Sequence, residues 1–189
     1  MDKNSNMEIV KNFTQSKLLK SLFIVLIGTV LLAISSKVKI PFYPVPMTMQ
    51  TFIILIIGIG FGWKIGVATV ALYLFEGIIG LPVFAGTPEK GIGIIYFTGP
   101  TMGYLVGFLI TVFLAGNFNY NDNLIYNFLK LTFATSFIYI LGMLWLGGLI
   151  GWDKPIFKLG AHPFLLAELF KILLATFFIN KMQRLRKFF

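Results

Sequence analysis

The sequence predicts an all-α integral membrane protein: a bundle of six transmembrane helices, both termini cytoplasmic, with an irregular outer loop after the third helix. Three observations carry that expectation. The 189 residues are 57% apolar and only 12% charged, with a mean hydropathy of +0.86; a soluble domain has about 45–50% apolar and about 25% charged residues. Six apolar stretches approach the length needed to cross a hydrocarbon core of about 30 Å. Proline- and glycine-rich segments interrupt them where no regular helix can run. Six spans leave no room for a separate soluble domain, so residues 18–180 are expected to form one bundle, flanked by tails at residues 1–17 and 181–189.

Taken in order, residues 1–16 are polar and mixed in charge, as a cytoplasmic tail would be. The first span is expected over residues 18–36. KVKIPFYPVPMTMQ follows, and Pro41, Pro44 and Pro46 exclude a regular helix there. Spans two and three are expected near residues 48–62 and 65–79, separated by Trp63 and Lys64. The connector GLPVFAGTPEKGIGIIYF has no helical period and contains four glycines. Span four is expected over residues 98–116, followed by the polar turn NFNYNDN and span five at Leu124–Ile150. GWDKPIFKLGAHP then leads into span six, residues 163–180.

Orientation follows from basic residues, which concentrate on the cytoplasmic side. One side holds nine: Lys3, Lys11, Lys17, Lys20, Lys64, Lys181, Arg184, Arg186 and Lys187. The other holds five: Lys37, Lys39, Lys90, Lys154 and Lys158. Both termini are therefore expected to be cytoplasmic, in the cell membrane. The net charge of +9 fits this topology and contact with anionic lipid headgroups, and no nucleic-acid recognition module accompanies it. A cleaved leader ending at Ala33-Ile34-Ser35 fits less well, because the preceding polar region is long and Lys37 and Lys39 follow directly.

Several chemistries are absent from the sequence. With no cysteine there is no disulfide or thiolate-ligated metal. No G-x-x-x-x-G-K-[ST] loop exists to cradle phosphates, and the single histidine, His162, cannot form an H-E-x-x-H site. No nucleophile–base set can be assembled, so the chain is not expected to be an enzyme, and no metal or cofactor is implied.

What remains is a pair of charges in an apolar helix. Glu168 and Lys171 are three residues apart, on one helix face. Glu168 lies five residues past Pro163, about 7–8 Å below the helix start at ~1.5 Å per residue. A charge at bilayer depth costs at least about 2.5 kcal/mol on insertion scales, so such residues mark a polar pathway or site. An internal ion pair tying the helix to a neighbour is the alternative. In the outer connector, Gly86, Gly91 and Gly93 permit close backbone approach, Phe84 offers a flat apolar face, and Lys90 is the only cation. Tyr104 carries a hydroxyl at the start of span four, where Gly103 and Gly107 form a small-xxx-small pair for helix contact. Thr29 and Ala33 form a similar pair on span one.

PVPMTMQTF (residues 44–52), GLPVFAG (80–86), GPTMGYLVGF (99–108) and the acid-x-x-Lys of AELFK (167–171) together resemble the BioY family. BioY proteins are the biotin-specific substrate-binding (S) components of energy-coupling factor (ECF) transporters. The match runs from about Ser36 to Ala175, with the motifs in the family's order. The resemblance implies a six-helix bundle that binds biotin near its outer face, docks on a shared transmembrane partner driven by two ATPase subunits, and topples in the membrane. Docking would use small residues of the first helix, here Thr29 and Ala33. Biotin's ureido ring offers two N–H donors and one carbonyl acceptor, which Glu168 and Lys171 would answer through charge-assisted bonds. Lys90 would meet the valerate carboxylate, although either end of the ligand is open to Lys171. Phe84 and the backbone of Gly80, Leu81 and Pro82 would pack the thiophane ring and chain. Where the family commonly has Asp, this chain has Glu168. The rival reading is a stand-alone, proton-coupled vitamin carrier in which Glu168 relays protons.

Overall fold

The computed structural model describes the backbone of residues 3–186 and the side chains of residues 17–186. The side chains of residues 1–16, and residues 187–189 of the C-terminal tail, lie outside the described residues. Helix α1 runs over Lys3–Lys37, so it begins inside the segment expected as a tail; its apolar part is Lys17–Lys37. Beyond Lys37 the proline-rich segment makes a small antiparallel hairpin, β1 (Lys39–Ile40) against β2 (Met47–Thr48), with Lys39 opposite Thr48.

Spans two and three fall within one helical element, α2 (Gln50–Ile78), broken at Gly62 with φ 77° and ψ 172°. That conformation suits glycine, which has no Cβ to clash. The break reverses the chain. A Cβ on Gly66 would stand 3.6 Å from the Cα of Gly58, and Gln50 bonds Tyr73 at 2.7 Å; along a straight helix those last two would be ~35 Å apart. Spans two and three are thus antiparallel arms joined at a turn centred on one residue, Gly62.

The outer connector ends in a 3-10 turn, Gly93–Thr98, and helix α3 starts only at Met102, four residues after the expected start, because Gly99 and Pro100 interrupt it. Gly103 and Gly107 press α3 onto helix α4 (Leu124–Ile150): a Cβ would come within 2.3 Å of the Leu141 carbonyl oxygen and 2.5 Å of the Ile138 Cα. Asn123 caps α4 by accepting the Tyr126 N–H. A short helix α5 (Ile156–Gly160) and a 3-10 turn, His162–Phe164, lead into helix α6 (Leu165–Arg186).

α2 is central, packed by α1, α3 and α6, and α3 in turn packs on α4. One core cluster is rich in aromatics (Tyr73, Phe84, Tyr96, Tyr104, Phe108) and the other is aliphatic (Leu55, Ile59, Leu131, Ile172, Ile179). Large apolar side chains such as Phe23, Val30, Phe170 and Phe177 face outward, as a lipid-facing surface requires. Lys20 and Leu185 line one groove, so the membrane portion of α1 begins at the same end where α6 finishes. At that end Arg186 donates to the Gly116 carbonyl at 3.0 Å and its guanidinium covers Gly62. Lys130, on the same side through its bond to the Asn119 carbonyl, adds to the cytoplasmic positive charge.

Thr29 is turned inward. It is 2% exposed, its hydroxyl donates to the Leu26 carbonyl, and neighbouring Gly28 touches Thr69 of α2. Ala33 also packs against the core. The small residues of α1 are used to bring it close to α2, and the exposed face carries Leu22, Phe23, Val30 and Ile34 instead. This corrects the expectation that Thr29 and Ala33 present a docking face.

Candidate functional site

Glu168 sits in the first turn of α6, where the positive end of the helix dipole favours a carboxylate. One turn on, Lys171 meets it at 2.9 Å, both side chains being under one-tenth exposed. The carboxylate's Oε2 accepts three hydrogen bonds: from Lys171 Nζ at 2.9 Å, the Tyr139 hydroxyl at 2.9 Å and the Thr51 hydroxyl at 3.1 Å. Lys171 Nζ also donates to Thr51 Oγ1 and to the Thr48 carbonyl, each at 2.9 Å. An ammonium has three hydrogens, so Lys171 is fully engaged. The other carboxylate oxygen, Glu168 Oε1, is buried without a hydrogen-bond partner among the described residues. A buried polar atom left unmet costs about 1–3 kcal/mol, more when charged, so this one calls for a donor from outside the protein.

Glu168 lines a partly open cavity of about 60 Å³ at the outer end of the bundle. Its walls are the hairpin (Val45–Thr48), the start of α2 (Gln50, Thr51), the connector (Phe84, Ala85, Tyr96), α3 (Thr101, Tyr104, Leu105, Phe108), α4 (Ile138, Tyr139) and the start of α6 (Phe164, Glu168, Lys171). Tyr139 and Phe164 stack at 6.3 Å, and Tyr104 meets Tyr139 edge-on at 6.3 Å, giving flat apolar surfaces beside the carboxylate. Phe84 is wedged between Tyr96 (4.7 Å, stacked) and the edges of Tyr73 and Phe97. Burial raises the Tyr96 phenol above its ordinary pKa, which keeps it a donor to the Ala85 carbonyl at 2.8 Å.

The structure therefore brings together four of the residues expected from sequence: Glu168, Lys171, Phe84 and Tyr104. Two have different jobs from those expected. Lys171 has no hydrogen left for a ligand, and the Tyr104 hydroxyl is committed to the Gly160 carbonyl at 2.8 Å. Gly80, Leu81, Pro82 and Lys90 do not line the cavity; Leu81, Pro82 and Lys90 are exposed. Sequence reasoning passed over Gln50, Thr51, Tyr139 and Lys37. Lys37 Nζ reaches the Phe84 carbonyl at 2.9 Å and Thr87 Oγ1 at 3.0 Å, clamping the connector that carries Phe84. A signal was available for two of these: Thr48, Gln50 and Thr51 form a polar run inside an otherwise apolar stretch.

A model of the BioY family matches residues 4–188. The chain belongs to the BioY family. Among relatives, the probable biotin transporter BioY of Pyrococcus horikoshii is 30% identical over 169 residues, covering 87% of this chain and 96% of its own length. The biotin transporter BioY of Thermotoga maritima is 31% identical over 160 residues, covering 84% and 93%. The fold is also similar to the crystal structure of the S-component for biotin from an ECF-type ABC transporter, with a TM-score of 0.70, 26% identity, and coverage of 99% of this chain and 95% of that one. As a family member with four helices among the described residues long and apolar enough to cross a membrane, the chain is a multi-pass membrane protein.

Proposed function

We propose that this chain binds biotin from outside the cell and takes it up as the S component of an ECF-type transporter. It is not an enzyme by itself, and a separate transmembrane partner and two ATPase subunits supply the drive. One observation carries the reading: a buried carboxylate oxygen without a partner among the described residues, on a residue that lines an outer cavity walled by aromatic rings. Biotin's neutral ureido ring supplies an N–H donor to that oxygen, and its thiophane ring and chain suit the apolar walls. The lack of a phosphate-cradling loop fits a division of labour with ATPase partners, and membrane lipid surrounds the apolar exterior.

Isothermal titration of the detergent-solubilised protein against a panel of vitamins tests the site. Biotin is expected to bind at one site, and Glu168→Gln to weaken it about 10- to 150-fold, the worth of a hydrogen bond to a charged group. Binding of a different vitamin in preference to biotin overturns the assignment. For the transport step, proteoliposomes containing this chain alone are compared with ones that add the partners and ATP. Uptake by the chain alone, abolished by a protonophore, favours the stand-alone carrier instead.

A further inference from the structure

A cyclic urea presents donors and an acceptor on the same ring. Glu168 Oε1 answers one of the N–H groups. The carbonyl needs a donor with a hydrogen to spare, and the side-chain donors around the cavity can be followed one by one. Lys171 has spent its three hydrogens on Thr48, Thr51 and Glu168. Thr51 and Tyr139 donate to Glu168 Oε2, and Tyr104 to Gly160. Tyr96 donates to Ala85, Thr101 is bonded to Tyr96, and Thr48 donates to Gln50 Oε1 at 3.1 Å. A hydroxyl has a single hydrogen, so all of these are committed.

Gln50 is different. It is 4% exposed and lines the cavity at the start of α2. One amide hydrogen goes to the Tyr73 hydroxyl at 2.7 Å. Tyr73 in turn donates to the Val83 carbonyl at 3.0 Å, so the atom facing Tyr73 must itself be a donor, which assigns the amide nitrogen to that side. The Thr48 hydroxyl meeting Oε1 agrees with this assignment. The second amide hydrogen has no acceptor among the described residues.

We propose that Gln50 Nε2 donates this free hydrogen to the ureido carbonyl, so that the ring is recognised by Gln50 and Glu168 together. Lys171 is then a positioning residue, which holds the carboxylate so that only Oε1 faces the ligand. Thr48 ties the two halves into one frame, its carbonyl gripped by Lys171 and its hydroxyl by Gln50. The specificity has a physical source. A ligand without a carbonyl acceptor leaves the buried N–H unpaired, and sites built to hydrogen-bond a group reject analogues that lack it. This inference rests on the cavity being the biotin site.

The test is a ratio of affinities. Biotin is compared with its cyclic-guanidine analogue, in which a protonated imine replaces the carbonyl and turns the acceptor into a donor. The unmodified protein is expected to favour biotin. Gln50→Glu, which puts an acceptor where the donor was, should shift the ratio at least ten-fold toward the guanidinium. Gln50→Met, which removes the donor, should weaken biotin about five- to ten-fold with less effect on the analogue. If Gln50 only supports the fold, both ligands weaken together and the ratio stays put, which overturns the proposal. Should neither variant fold, the unmodified protein still answers: an analogue with sulfur in place of the carbonyl oxygen should bind at least five-fold more weakly, and equal affinity rules the contact out. Failure to bind biotin at all sinks the site assignment instead, so the two failures are distinguishable.

Discussion

Two walls of the outer cavity are built from irregular chain, yet they are held differently. The connector carrying Phe84 is tied from several elements: Lys37 and Ser36 at the end of α1 bond the carbonyls of Phe84 and Val83, Tyr73 of α2 bonds Val83, and Tyr96 bonds Ala85. The hairpin opposite has a two-residue ladder, a backbone bond from Met49 to Val38 at 3.2 Å, and the bond from Lys171 to Thr48. Its tip is open, with Tyr43 90% exposed. Backbone outside a helix is tolerated at membrane depth only where its polar groups are met. In the connector neutral side chains and a peripheral lysine do this. In the hairpin the same buried lysine that positions the carboxylate does it, so the state of the site and the hold on that wall are linked.

The largest effect that can break this contrast is expected from Lys171→Met. It strands the Glu168 carboxylate and frees Thr48 at one stroke; removing one partner of a buried pair costs about 3–5 kcal/mol. Thermal unfolding in detergent should show that loss, and hydrogen exchange should show the amides of residues 38–49 opening first. Equal opening of the connector would mean the two walls are one unit. Next comes Gly77→Ala, whose Cβ would stand 2.0 Å from the Phe84 ring. Phe84 is hemmed in by three aromatic rings and cannot step aside, so overpacking of about 1–3 kcal/mol is expected, along with weaker biotin binding by titration. A normal melting curve and affinity would show that the connector yields more readily than its tethers suggest.

Lys37→Met is smaller. The ammonium sits near the surface, so its loss should cost about 1 kcal/mol, read as faster exchange at residues 83–87 with the hairpin unaffected. Faster exchange at the hairpin instead would reverse the assignment of the clamp. The least is expected of Tyr43→Ala, within about 0.5 kcal/mol in stability and without change in biotin affinity. A marked loss of affinity there would show that the tip closes onto the ligand.

The site was partly legible beforehand, for identifiable reasons. Glu168 and Lys171 stood out because charge in an apolar helix is costly and a spacing of three defines a face. Lys37, Gln50 and Tyr139 did not, because each acts on a residue far away in sequence; Lys37 and Phe84 are 47 positions apart. Thr29 and Ala33 were legible as small residues but not as inward-facing, since nothing on a single helix says which side meets its neighbour. Lys90 was judged by being the only cation in its loop, and the loop's path turned it outward.

By itself, the sequence determined the membrane class, the number of apolar spans, their orientation, the breaks at the prolines and glycines, and the residues too costly to bury without purpose. These depend on local composition and on transfer into hydrocarbon, which act on each segment alone. Only the tertiary structure decided that two spans fold back around Gly62, that Lys171 spends all its hydrogens inside the protein, and that one carboxylate oxygen and one amide hydrogen are left over. Hydrogen bonds are short and directional, so which donors remain free depends on chain segments brought within about 3 Å of one another.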